Sequence, residues 1–142
     1  MIFKYIVFRR NIINYNMNRL QSNIISKVSS KYRIIQPINY FDVTLRDGLQ
    51  SEKKYYTLTE KQSILNFIIE QKNPQNIEVG SIVSPKILPQ MENSIELYKY
   101  AVNKFKNTPI FYMLIPNKKA LDIAVKNDIS NVSFITSASE EF

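Results

Sequence analysis

The chain has 142 residues, of which 44% are hydrophobic and 22% charged, and its formal net charge is +7. This length and apolar content indicate one packed domain or part of one, and they exclude a wholly disordered chain. Cysteine and histidine are both absent. Disulfides and thiol chemistry are therefore excluded, and so is the side chain that most often serves as metal ligand and general base.

The first predicted unit is a basic leader over residues 1–39. Positions 1–41 hold seven basic residues and no Asp or Glu, which leaves 12 basic against 12 acidic residues in the rest. Because the excess charge lies in the leader, we expect no nucleic-acid partner. The composition is typical of a mitochondrial transit peptide, which predicts a matrix location, and the alternative is a disordered basic tail. Its apolar run, 5–8, is too short for a secretory signal or a membrane span.

The first strand is predicted at NYFDVTL, residues 39–45, which is rich in β-branched and aromatic side chains. Asp47 and Gly48 should end it, because this dipeptide is a turn signal. Gly48 and Gly80 are the only glycines in the chain. We therefore expect each to answer a backbone requirement.

The first helix is predicted at TLTEKQSILNFIIEQ, residues 57–71, from apolar residues that recur every three or four positions. Its start carries a capping-box pattern, formed either by Thr57 with Glu60 or by Thr59 with Gln62. The remaining predicted elements are strands over 76–81, 109–115 and 131–138 and helices over 91–105 and 118–128.

The alternation of strands and helices predicts an α/β fold with parallel strands and right-handed crossovers. An open doubly wound sheet and a TIM barrel both fit, but the glycine-rich phosphate loop that would favour the first is absent. We expect a partial TIM (β/α)8 barrel of about four βα units over residues 40–142, preceded by a non-globular N-terminal leader. Such a half barrel would leave its first and fourth strands as open edges.

Polar residues cluster where the predicted strands end, and ligands meet this edge in either fold. Glu78 differs, because it lies inside the second strand, where a carboxylate is costly unless it is paired or faces a polar site. The plainer explanations are a surface ion pair for Arg46 and Asp47, a structural role for Glu78, and helix or turn capping for Asn117 and 137–140. The residues at or after strand ends are Arg46, Asp47, Ser81, Asn117 and 137–140.

Four segments, in this order, resemble 3-hydroxy-3-methylglutaryl-CoA lyase, a member of the DRE-TIM metallolyases: TLRDGLQSE, IEVGSIVSPKILPQM, LIPNKKALDIAV and ITSASEEF. The resemblance covers about residues 41–142. Leu49, where the related isopropylmalate and homocitrate synthases carry an acid, and the VSPK and PQM motifs favour the lyase branch. Leu45 departs from the usual lyase proline and matches the synthase spelling.

The resemblance implies roles for individual residues. Asp47 would ligate a divalent cation, Mg²⁺ or Mn²⁺. Arg46 would be catalytic, neutralising a thioester oxygen as an enolate forms, with Glu78 as a second catalytic carboxylate. The implied substrate-binding residues are Arg46, Gln50, Ser81 and Asn117, and Lys86 is either a contact to the CoA phosphates or a solvated loop charge.

The implied reaction is retro-Claisen cleavage of 3-hydroxy-3-methylglutaryl-CoA to acetyl-CoA and acetoacetate. Because the family's His-x-His pair and Cys-bearing loop have no counterpart in this sequence, we expect the chain to be an amino-terminal portion that is inactive alone. It would then act as a homodimer or with a complementing C-terminal half. The alternatives are a non-catalytic half-barrel that pairs with itself or a partner, and a fragment of a related acyl-CoA synthase or lyase.

Overall fold

A computed structural model describes residues 3–9 and 39–137, with side chains from 39 to 135. Four parallel strands alternate with three helices, which confirms the predicted partial (β/α) barrel. The strands are Phe41–Asp42 (β2), Asn76–Ser81 (β3), Ile110–Leu114 (β4) and Asn131–Ser137 (β5). The helices are Leu58–Lys72 (α1), Ser94–Lys104 (α2) and Lys118–Lys126 (α3).

A fifth strand, Phe3–Arg9 (β1), pairs antiparallel with β5, from Phe3 opposite Ser137 to Arg9 opposite Asn131. The sheet order is therefore β1-β5-β4-β3-β2. The sequence predicted a non-globular leader and no strand over Phe3–Arg9. It also predicted that the fourth parallel strand, β5, would be an open edge, which is wrong because β1 pairs with it. The predicted leader otherwise lies outside the described residues, between β1 and residue 39.

The opening strand is shorter than the sequence predicts, because it ends at Asp42 instead of running to residue 45. The Asp42 carboxylate accepts a hydrogen bond from the Thr44 amide at 2.9 Å. The amides of Arg46 and Asp47 then both donate to the Val43 carbonyl, at 3.1 and 2.7 Å. These local bonds coil Thr44–Gly48 into a short π-helical turn that carries the charged pair.

Helix α1 begins with the capping box that Thr57 and Glu60 were predicted to form. The Glu60 amide donates to the Thr57 hydroxyl at 3.3 Å, and the Glu60 carboxylate accepts from the Thr57 amide at 2.8 Å. A hydrogen bond from Lys54, followed by those from Thr57, lowers the pKa of Glu60 to about 2. The helix start is thus fixed by its own side chains, as the sequence indicates.

The hydrophobic core lies between the sheet and the helices. Alternate residues of β3 and β4 enter it, because successive side chains of a strand point to opposite faces. These strand residues pack against apolar side chains of α1 and α2, and each is less than a tenth exposed. They are Ile77, Val79, Phe111 and Met113, and the helix residues include Leu65, Leu97 and Ala101.

The second predicted helix begins later than residue 91. Pro89–Met91 forms a 3-10 turn, and α2 starts only at Ser94. Its first residue lies against Gly80, where an added Cβ would meet the Ser94 Oγ and come within 2.7 Å of the Ser94 Cβ. Gly80 therefore meets a packing requirement.

Gly48 has no such requirement. Its φ is not positive, and an added Cβ would meet only the Thr44 side chain at 3.6 Å, an ordinary contact. The expectation that both glycines serve the backbone is therefore wrong for Gly48. Within residues 39–137, none of the helices is long and apolar enough to cross a membrane.

Candidate functional site

A buried charge cluster lies where the parallel strands end. Arg46 is only 2% exposed. Its Nε donates to Glu78 Oε2 at 2.5 Å and its Nη1 to Asp47 Oδ1 at 2.5 Å. The Ser133 hydroxyl donates to the other Glu78 oxygen. The π-helical turn, β3 and β5 are therefore joined through one carboxylate.

This cluster forms one wall of a cavity of about 400 Å³. Arg46, Asp47, Gln50 and Ser81 supply the polar part of the lining. The structure thus brings together four of the residues that the sequence singled out. The rest of the lining is apolar and comes from Val83, Leu88, Leu114, Pro116 and Ile135.

Glu78 bonds Arg46 and is fully buried, and it does not line this cavity. Both its oxygens accept hydrogen bonds, from Arg46 and from Ser133. This placement favours a role in positioning the guanidinium over direct contact with a ligand. A paired carboxylate also explains why an acid is tolerated inside a buried strand.

Asn117 caps α3, because its side-chain oxygen accepts from the Ala120 amide at 2.9 Å. It lines a neighbouring cavity of about 500 Å³ and not the cavity beside Arg46. The two cavities share Ser81, Val83 and Pro116. The structure therefore separates Asn117 from the charge cluster, while keeping it at the same edge of the sheet.

The other strand-end candidates contribute less to the described site. Lys86 is exposed in the loop after β3 and lines neither cavity. Of the stretch 137–140, only the backbone of residue 137 is described, at the end of β5. The predictions for Ser139 and Glu140 lie outside the described residues.

Sequence reasoning missed Lys61, which is 3% exposed although it carries an amine. Its Nζ donates to the carbonyls of Gln90 at 2.8 Å and Glu92 at 2.5 Å. Burial lowers the pKa of this amine. The signal was present, because Lys61 lies on the same helical face as Leu65 and Ile68.

Gln90 ties the same turn to the opposite side of the site. Its Nε2 donates to the Glu52 carbonyl at 2.8 Å, four residues past the π-helical turn. Together with Lys61 it holds the turn Pro89–Met91 against both α1 and the segment that carries Arg46. The loop after β3 is therefore anchored from two directions.

Asp47 is the residue that the sequence assigned to a metal. Its carboxylate is 59% exposed and one of its oxygens bonds Arg46. Residues 39–135 contain no group of three or more carboxylate, histidine or cysteine side chains that could hold a metal ion. Since hard cations need several fixed oxygen ligands, Asp47 does not make a metal site by itself.

Parallel strands with crossover helices and a charged cluster at their carboxyl ends define a barrel-type α/β protein whose site lies at that edge. A protein-family model described as HMGL-like matches residues 37–142, which is most of the chain. The chain therefore belongs to the HMGL-like family.

Curated relatives include the 3-hydroxy-3-isohexenylglutaryl-CoA/hydroxy-methylglutaryl-CoA lyase of Pseudomonas aeruginosa, 32% identical over 105 residues. This match covers 74% of the chain and 34% of the relative. The mitochondrial hydroxymethylglutaryl-CoA lyase of Macaca fascicularis is 34% identical over 114 residues, covering 80% of the chain and 34% of the relative. The chain thus spans about one third of the length of these relatives.

Solved structures of lyases are similar in fold. The hydroxymethylglutaryl-CoA lyase of Pseudomonas aeruginosa aligns with a TM-score of 0.57 at 29% identity, covering 66% of this chain and 30% of that one. An HMG-CoA lyase of Acinetobacter baumannii, in complex with coenzyme A and 3-methylmalate, aligns with a TM-score of 0.55 at 29% identity. That match covers 65% of this chain and 29% of the other.

Proposed function

We propose that this chain supplies the Arg46 wall of a carbon–carbon lyase site that takes 3-hydroxy-3-methylglutaryl-CoA or a close analogue. The observation that carries the proposal is the buried guanidinium of Arg46, fixed by Glu78 and Asp47 beside the cavity of about 400 Å³. We call this space the acyl cavity. The names of the relatives support the substrate class, and they include glutaryl-CoA esters with different branches at C3.

The retro-Claisen reaction begins when a general base takes the proton from the C3 hydroxyl of the substrate, and we assign this base to the polypeptide that completes the site. The C3 oxygen then forms the ketone of acetoacetate while the bond between C2 and C3 breaks. The electron pair of that bond moves to the thioester carbonyl and gives the enolate of acetyl-CoA, which takes the proton at C2 from the protonated base. Arg46 stabilises the enolate oxygen, because a fixed cation in a site with little water acts on charge that develops only during the reaction.

Glu78 holds the guanidinium in place, and Gln50 and Ser81 offer hydrogen bonds to polar groups of the acyl head. Asn117 would contact a more distant part of the substrate, since it lines the adjoining cavity. The family implies a divalent cation, and we propose Mg²⁺ or Mn²⁺ with Asp47 as one ligand. Asp47 alone supplies too few ligands for a divalent cation, so further ligands must come from outside residues 39–137 or from a second polypeptide.

We therefore expect this chain to act together with a second copy of itself or with a polypeptide that supplies the remaining ligands. Purified chain incubated with 3-hydroxy-3-methylglutaryl-CoA and Mg²⁺ should form no acetoacetate above the uncatalysed rate. Ordinary lyase turnover by the chain alone would refute the need for further ligands. Acetoacetate formation on adding a polypeptide with the remaining barrel strands, and its loss with Arg46→Gln, would support the proposal.

We also propose that residues 1–39 direct the chain to the mitochondrial matrix. The basic, acid-free composition supports this, and several relatives are named as mitochondrial. Residues 1–39 fused to a fluorescent protein should localise to mitochondria. A variant with Arg9 and Arg10 changed to Glu should stay in the cytosol, whereas cytosolic wild-type fusion would contradict the proposal.

A further inference from the structure

The acyl cavity has two chemically different walls. The polar residues around Arg46 form one of them, and Val83, Leu88, Leu114, Pro116 and Ile135 form the other, the apolar wall. Apolar surface of this kind binds hydrocarbon by removing it from water, and it offers no partner to a carboxylate or hydroxyl. The polar residues therefore suit the charged groups of an acyl head, and the apolar wall suits its hydrocarbon branch.

Leu88 differs from the strand residues of this wall. Leu114 and Ile135 belong to strands, so their positions are set by the sheet. Leu88 and Val83 instead lie in the loop after β3 and are half-buried, and Leu88 is the one next to the turn Pro89–Met91. The Leu88 side chain packs against the hydrophobic core, so a change in it alters the cavity without removing one of the fully buried core residues.

The backbone that carries Leu88 is held firmly. Its amide donates to the Ser84 carbonyl at 3.0 Å, and its carbonyl accepts from the Met91 amide at 3.0 Å. The turn that follows is fixed by Lys61, which donates to the Gln90 carbonyl at 2.8 Å. None of these bonds uses the side chain of residue 88, so they survive its replacement.

We propose that Leu88 sets the size of the hydrocarbon branch at C3 that the acyl cavity accepts. The inference deepens the proposed function and rests on it, since it assumes that an acyl-CoA head lies between Arg46 and the apolar wall. Its basis is the conjunction of a two-walled cavity and one apolar side chain on a rigid, backbone-anchored turn. Shortening that side chain makes room for a longer branch, and enlarging it removes the room.

The test compares the binding of two CoA thioesters to the full chain by calorimetry in the presence of Mg²⁺. One carries 3-hydroxy-3-methylglutarate and the other its 3-butyl analogue. Leu88→Ala should shift the ratio of the two Kd values at least about tenfold towards the butyl ester, and Leu88→Phe should shift it as far in the opposite direction. Leu88→Met, which nearly conserves volume, should leave the ratio within about threefold of the wild-type value.

Val125→Ala is the matched control, because Val125 is an aliphatic residue on α3, is 68% exposed and lines neither cavity. It should leave the ratio unchanged. Thermal unfolding of each variant confirms that the fold is retained, and if Leu88→Phe does not fold, Leu88→Ala decides alone.

The outcomes separate the two proposals. If the wild-type chain binds both esters and Arg46→Gln weakens both, an unchanged ratio in Leu88→Ala overturns the role of Leu88 and leaves the proposed function standing. If the wild-type chain binds neither ester, alone or with a polypeptide that carries the remaining barrel strands, the proposed function fails, and the role of Leu88 fails with it.

Discussion

The two faces of strands β3 and β4 carry different chemistry. On one face, Ile77 and Met113 belong to the hydrophobic core with the helices. On the other face, Glu78 lies opposite Tyr112 in the register and accepts hydrogen bonds from Arg46 and Ser133. Successive residues of one strand thus serve the fold and the site in turn.

The two faces gain their stability from different interactions. The helix-facing side gains from removal of apolar surface from water, which tolerates exchange of one aliphatic residue for another. The site-facing side holds a buried carboxylate and a buried guanidinium whose desolvation cost is offset only while both are present. The first side should respond to volume, and the second to loss of a single partner.

The largest expected effect follows from breaking the buried pair on the site-facing side. Glu78→Gln replaces the buried partner of Arg46 by a neutral amide and leaves only the largely exposed Asp47 carboxylate as its counter-charge. It should therefore lower the free energy of unfolding by about 3 kcal/mol. Urea unfolding measures this change. The double variant Glu78→Leu/Arg46→Met should recover most of the loss, because it removes both buried charges.

Asp122→Asn is the control for that experiment, since Asp122 is an exposed carboxylate on α3. It should change the free energy of unfolding by less than about 0.5 kcal/mol. An equally small effect of Glu78→Gln would show that the pair contributes little, and the contrast between the two faces would be lost.

The two glycines test the packing on the helix-facing side, because Gly80 lies against the start of α2 and Gly48 lies in the π-helical turn. Gly80→Ala should cost about 2 to 3 kcal/mol of unfolding free energy, because the added methyl group meets the Ser94 side chain at the start of α2. Gly48→Ala should be tolerated within about 0.5 kcal/mol, as its contact is ordinary. Thermal unfolding of both variants checks this, and equal shifts in Tm would contradict it.

A smaller effect is expected at Lys61, which anchors the turn after β3 to α1. Lys61→Met removes the donor to the Gln90 and Glu92 carbonyls and should lower the free energy of unfolding by about 2 kcal/mol. It should also speed tryptic cleavage after the exposed Lys86, because the turn is freed from α1. Lys72→Met, at an exposed position of the same helix, should do neither; unchanged cleavage in Lys61→Met would argue against the anchor.

The smallest effect concerns the exposed start of α1. The folded pKa of Glu60 is about 2, below the ordinary value of 4.5. Its contribution to stability is therefore fully present above about pH 4.5 and lost as pH falls towards 2. Chemical unfolding at pH 7 and pH 3 should show a smaller acid loss for Glu60→Gln than for the wild type. Glu70→Gln, on the same helix, is the control and should follow the wild type.

The helix-facing side was largely predictable from the sequence. Apolar residues at intervals of two or of three to four positions set the strands and helices, and the capping box set the start of α1 at Leu58. The π-helical turn was not predictable, because a β-branched run such as DVTL favours a strand. Local hydrogen bonds from the Arg46 and Asp47 amides to the Val43 carbonyl reverse that preference.

The site-facing side was predictable only in part. The motif around Arg46 located the site at the carboxyl ends of the strands. The costly position of Glu78 inside a strand indicated that its carboxylate accepts a hydrogen bond or pairs with a charge. The hydroxyl of Ser133 carries no signal of its own, because a serine in a strand is ordinary until the register brings it to Glu78. Lys61 could have been found, since a charged residue on an apolar helical face is costly unless it is bonded.

The central claim is that the buried guanidinium of Arg46 recognises the acyl head of a CoA thioester. The most direct measurement compares the Kd values of 3-hydroxy-3-methylglutaryl-CoA and free CoA for the wild-type chain and for Arg46→Lys. We expect the wild type to bind the thioester at least about tenfold more tightly than CoA, and Arg46→Lys to lose most of this preference, because an ammonium lacks the planar fork of donors. A wild-type chain that binds both ligands alike, or a lysine variant that keeps the full preference, would contradict the account.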